Sequence, residues 1–360
     1  MDVLHTLLTR DENAGPAPAC ETGNEYDGRM GLRISSIFVI MVGSMFGAVF
    51  PVFAGQFRRT KYLEWAFFVA KYFGSGVIIA TAFIHLLAPA EEALKNECLT
   101  GPITEYSWVE GIILMTIVVL FFVEMMVMRY ARFGQSHAHE LAHEHDHDHD
   151  HRETKTASSE SGSEVLDSKH IPGRDHLGHS RDHHDPERAS HDSSLEEYMA
   201  QLTGIFILEF GIIFHSVFIG LTLAVSGAEF VTLYIVLVFH QTFEGLGLGS
   251  RLATIPWPRA KRFTPYLLGI AFGLSTPIAI AIGLGVRKSY PPEGRTTLIV
   301  NGVFDSISAG ILIYTALVEL MAHEFMFSSS MKKAPIQHVL GAFFLLCLGA
   351  LLMALLGKWA

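Results

Sequence analysis

The stretch HQTFEGLGLG, residues 240–249, sets a histidine, a glutamine and a glutamate inside an apolar run that begins near Phe230. On a helix His240 and Glu244, four residues apart, lie about 40° from each other on one face. Ionisable groups in hydrocarbon are costly, and they usually face a bundle interior or a water-filled path. A neutral imidazole beside a carboxylate is also a good ligand pair for a divalent metal. This stretch therefore predicts a membrane-spanning helix with one chemically active face.

Reading outward, the same run is one of eight. Apolar segments long enough to cross a bilayer as helices fall at about 34–53, 65–87, 108–128, 202–225, 230–248, 266–286, 298–321 and 339–356. Half of the residues are hydrophobic, only 17% are charged, and mean hydropathy is +0.33. Such a profile belongs to a polytopic all-α membrane protein. A formal net charge of −10 argues against nucleic acid as a partner. The first 30 residues lack the basic start and apolar core of a signal peptide, so the first span is expected to direct insertion. The chain divides into a tail (1–32), three spans (33–132), a polar segment (133–198) and five more spans (199–360).

Between spans three and four the composition changes. Thirteen of the nineteen histidines fall between 137 and 191, among Asp, Glu, Ser and Arg with almost no large apolar side chains. Such a segment buries too little surface to offset its ordering entropy, which predicts disorder. His137, His139, His143, His145, His147, His149 and His151 are candidate zinc ligands there. Many imidazoles on one tether raise the effective ligand concentration.

Orientation follows from Lys and Arg near the span ends. With the termini outside, the inner flanks hold the larger share: Arg58, Arg59, Lys61, Arg129, Arg132, Arg251, Arg259, Lys261, Arg262, Lys332 and Lys333. The stretch 287–295 runs against the rule, with Arg287, Lys288 and Arg295 on the outer side. Outward termini put Cys20 and Cys98 on the oxidising face, where a disulfide between them is a hypothesis that sequence alone cannot place.

The fourth span, LEFGIIFHSVFIGLTL, carries Glu209 and His215, with Ser216 following. The link to the fifth span, SGAEF, is so short that the two helices must be antiparallel neighbours, with His215 and His240 both near mid-membrane. Gly220, Gly245, Gly247 and Gly249 would let them approach closely. His215, His240 and Glu244 together form a candidate metal site. His85, Glu209, Asp305, Glu319 and His323 are candidate stepping stones on either side of it. Asp305 could recruit an ion or pair structurally, since a carboxylate at that depth needs a partner.

HSVFIGLTL at 215–223 and HQTFEGLGLG at 240–249 resemble the paired fourth- and fifth-span signatures of the ZIP (Zrt-, Irt-like protein) family. LRISSIFVIMVGS at 32–44 and ILIYTALVELMAHEF at 311–325 resemble its fungal plasma-membrane zinc transporters. The resemblance implies eight spans, outward termini, a histidine-rich loop after span three, and zinc movement into the cytosol, with iron or manganese carried by some members. It also implies a transport site of His215, His240 and Glu244. Some members hold a second ion through Asn and Glu in span four, Asp in span five and Glu before the span-six proline. Here those places hold Ser216, Ile219, Gln241 and Thr276, at most weak ligands, so one ion is expected. The partners implied are the divalent ion as substrate and the lipid bilayer, with no resident cofactor. A homodimer is a general expectation for such bundles, with no interface marked in the sequence. Two other classes compete. An intramembrane metalloenzyme is disfavoured by the lack of His-Glu-x-x-His, and a zinc-sensing receptor leaves the buried His/Glu set unexplained.

Overall fold

The computed structural model describes residues 18–56, 60–143 and 186–359. Among these, eight helical runs are long and apolar enough to cross a membrane. They are α1 (Met30–Gln56), α2 (Lys61–Leu94), α3 (Trp108–His143), α4 (Pro186–Val225), α5 (Phe230–Thr254), α6 (Thr264–Val286), α7 (Arg295–Phe327) and α8 (Ile336–Leu356). Helices are the expected answer, because a segment in hydrocarbon must satisfy its backbone internally. The chain forms two compact units, one of Met1–Glu124 with Gln201–Ala360 and one of Met125–Ala200. The second holds the far end of α3, helical to His143, and the start of α4, helical from Pro186. His137, His139 and His143 thus lie on helical backbone, inside the segment expected as loop. His145, His147, His149 and His151 lie outside the described residues.

In the first unit α5 packs on α1 along much of its length and on α2, while α1 also packs on α6 and α2 on α8. These contacts correct the expectation for the glycines. They do permit close approach, but to helices other than the α4–α5 pair. A Cβ on Gly249 would stand 2.1 Å from the Ala48 carbonyl oxygen of α1, and one on Gly74 would stand 2.4 Å from Gly247 Cα. Gly220 of α4 faces Thr276 and Ala279 of α6. Gly245 and Gly249 are roughly 140° and 180° around α5 from His240, so they serve the α1 face.

Two helices carry π-helical segments, Thr81–Leu87 within α2 and Thr315–Phe327 within α7. The first has a local cause. Pro89 has no N–H to give to the His85 carbonyl, and its ring would crowd that oxygen in a regular turn. The wider turn, in which Ala88 N–H donates to the Phe83 carbonyl, accommodates it. That widened turn carries His85.

On the face bearing the tail, residues 18–28 run over three loops. Cys20 and Cys98 are joined as a disulfide with Cα atoms 4.9 Å apart. The Asn24 amide donates to the carbonyls of Arg287 (2.6 Å) and Tyr290 (2.9 Å). Glu25 lies against Gly227, between α4 and α5. Arg33, fully buried, donates to the carbonyls of Leu223 and Ala224 at the end of α4, to Gly28 and to the Asp27 carboxylate.

Candidate metal-transport site

A cavity of about 630 Å³ enters from the tail face and narrows onto His85, His215, His240 and Asp305. Its rim carries Glu92, Asn96 and Glu293, and all three also line a second pocket with Cys20 and Glu21. Burial, and then the carboxylates of Glu21, Glu92 and Glu25, hold the Glu293 carboxyl above the usual carboxylate range.

At the floor, four helices supply one side chain each. Those of α4 and α5 meet as their short link requires: the His215 and His240 rings are 5.8 Å apart. From the π-helical turn of α2, His85 packs edge-on to His240 at 4.6 Å. From α7, Asp305 stands 3.4 Å from His215 Nδ1. His85 Nε2 donates to the Met353 carbonyl of α8 at 2.9 Å. One turn beyond His240, Glu244 is fully buried, with Oε2 3.7 Å from His240 Nε2.

The polar atoms left over define the chemistry. His215 Nε2, His240 Nε2 and both Glu244 oxygens are buried without a hydrogen-bond partner. Leaving such groups unpaired costs about 1–3 kcal/mol each, a cost that water or a bound cation would relieve. Two donors about 2.1 Å from a tetrahedral zinc lie about 3.4 Å apart. The 3.7 Å between His240 and Glu244 is within a few tenths of that spacing. Yet no three His, Cys, Asp or Glu side chains among the described residues stand ready as a complete metal shell. Beside the site, the Gln241 amide donates to Ser216 Oγ at 3.4 Å, and Thr276 Oγ1 has no partner.

The other candidates fall elsewhere. Glu209 is buried on α4 with both oxygens unpartnered, outside the cavity lining. Glu319 pairs with Arg251 of α5 at 2.9 Å. His323 is exposed, and its neighbour Glu324 pairs with Lys71 of α2. Both ion pairs join α7 to other helices beyond the site, on the side away from the tail. Sequence reasoning missed the roles of Asn301, whose Oδ1 lies unpartnered in the cavity wall, and of the Met353 carbonyl. An Asn in an apolar span was a signal available for the first. A backbone carbonyl leaves none.

Imidazoles and carboxylates at the closed end of a cavity, inside an eight-span bundle, define a membrane protein that handles cations. The chain belongs to the ZIP zinc transporter family, whose model matches residues 30–357. It is 42% identical to zinc-regulated transporter 2 of Saccharomyces cerevisiae, over 98% of this chain and 99% of that one. It is 43% identical to zinc-regulated transporter 1 of the same yeast, over 94% and 90%. It is 39% identical to zinc-regulated transporter 1 of Schizosaccharomyces pombe, over 98% and 92%. No solved structure matches it. As a family member it is a multi-pass transporter of zinc, and not an enzyme.

Proposed function

We propose that the chain brings zinc from outside the cell into the cytosol, one ion at a time, through His215, His240 and Glu244. The supporting observation is the set of unpartnered, buried nitrogens and oxygens on these three residues, His215 and His240 lining the cavity and Glu244 one turn beyond it on α5. A zinc ion entering past Glu92 and Glu293 sheds water and regains that cost from imidazole nitrogens. His85, His215 and His240 are the imidazoles in reach from the cavity. Glu244, deeper along α5, offers the negative charge that draws the ion onward. Ser216, Gln241 and Thr276 supply no carboxylate, which favours a single ion. The tail face is the outer one in this reading, on two supports: the excess of Lys and Arg on the other flanks, and a disulfide, which persists where the surroundings oxidise. A plasma-membrane location is the one that fits this orientation. Purified protein in proteoliposomes gives the test. Zinc influx in wild type, reduced to the level of empty liposomes by His240→Ala and by Glu244→Ala, is the expected result. Undiminished influx in both variants sinks the reading.

A further inference from the structure

We propose that Asp305 is a positioning residue: its carboxylate fixes which nitrogen of His215 is free to take the ion. The inference rests on the reading that His215 is a ligand. A neutral imidazole has one N–H and one lone pair, and the partner of one nitrogen decides the role of the other. Asp305 Oδ1 faces His215 Nδ1 at 3.4 Å, while His215 Nε2 is buried and unpartnered. With the carboxylate oxygen as acceptor, Nδ1 carries the proton and the lone pair falls on Nε2. A parallel arrangement holds His85. The Met353 carbonyl can only accept, so His85 Nε2 carries the proton and Nδ1 keeps the lone pair. Two of the three imidazoles are thus fixed by acceptors from α7 and α8, helices that carry neither His215 nor His240. Groups that orient a ligating histidine in this way typically change metal affinity about 10–100-fold when removed.

Asp305 also lines the cavity, so its charge alone could draw cations inward. Acceptor and charge are separated by substitution, the Asn oxygen replacing the carboxylate oxygen when its NH2 faces away from His215. Asp305→Asn keeps an acceptor oxygen and loses the charge, and Asp305→Leu loses both at similar size. Zinc influx into proteoliposomes is measured against zinc concentration for wild type, both variants and His215→Ala, with thermal unfolding of each as a folding check. Positioning predicts that Asp305→Leu raises the half-saturating zinc concentration about 10–100-fold, with the maximal rate within about twofold. It also predicts that Asp305→Asn stays within about threefold of wild type, less than the span of a lost orienting group. If Asp305→Asn fails as badly as Asp305→Leu, the residue acts by charge and the inference is wrong. A wild-type curve for Asp305→Leu overturns it equally. Should Asp305→Leu not fold, Asp305→Ala, which also loses both acceptor and charge, takes its place. Loss of influx in His215→Ala with a wild-type Asp305→Leu isolates failure to this inference. Undiminished influx in His215→Ala removes the transport site, and this inference with it.

Discussion

Arg33 shows how one side chain can be misread from its neighbourhood in sequence. Just before an apolar run, it counts as an outer-flank cation and weighs against outward termini. In the fold it is fully buried, donates to the last carbonyls of α4 and lies 4.3 Å over the Phe230 ring. It caps the negative end of that helix and so holds the α4–α5 turn to α1. Arg287, also on the outer side, lies 5.6 Å over the Tyr26 ring. Arg33→Met should therefore leave several carbonyls unpaired and lower stability by roughly 3 kcal/mol, read as a fall in the thermal midpoint in detergent. A midpoint unchanged from wild type would show that water or lipid can replace the guanidinium. The site residues themselves were largely legible, because an ionisable group stands out against an apolar run: His215, His240, Glu244, His85 and Asp305 could all be picked out as candidates. Their pairing could not. Asp305 is 90 residues from His215, and Met353 is 268 from His85. No local pattern encodes such distances. Glu319 stood out for the same reason as the others, yet it is paired with Arg251, which composition alone does not distinguish from a site.

At the level of elements, close helix contacts give predictions of opposite sign for the same kind of substitution. Gly249→Ala places a methyl 2.1 Å from the Ala48 carbonyl oxygen, on backbone that cannot yield without parting α1 from α5. Overpacking of this sort costs about 1–3 kcal/mol. Gly341→Ala, in α8 with nothing within 4 Å of the new atom, should be neutral or stabilise by up to about 1 kcal/mol. Thermal unfolding of the two variants side by side checks both, and a Gly249→Ala variant as stable as wild type would contradict the packing. The loop between α6 and α7 adds a pH-dependent case. The Glu293 carboxyl is raised by burial and by Glu21, Glu92 and Glu25. A carboxyl raised in the folded state favours folding below its ordinary pKa, and that contribution fades as pH climbs through the folded value. Glu293→Gln should therefore raise the thermal midpoint relative to wild type at pH 7 and leave it nearly unchanged near pH 4. An equal shift at both pH values would place the cause outside titration. The number and order of spans could be read from sequence, since bilayer thickness fixes how long an apolar helix must be. Which faces meet could not. The glycines announced close packing without naming the partner, and the π-helical turn that carries His85 depends on a proline that reads equally well as a span end.

For the molecule as a whole, the tail, the loop after α2 and the loop before α7 form one connected surface around the cavity mouth. An impermeant thiol reagent on intact cells should label neither Cys20 nor Cys98 until a reductant is added, and then both. Labelling only after the membrane is opened would reverse the proposed orientation. Labelling without reductant would remove the disulfide. The tail also brings Glu21 and Glu25 close enough to act on Glu293 at the rim. This has an evolutionary consequence. Every span answers to the bilayer, so its sequence can drift only within narrow limits. The tail answers to none of those limits beyond its few anchors, Cys20, Asn24 and the Asp27–Arg33 pair. Selection can therefore retune the charge that a zinc ion first meets by exchanging acidic residues in an expendable-looking segment, leaving the transport machinery untouched. Related carriers living at different external zinc levels should differ there before they differ at His215, His240 or Glu244.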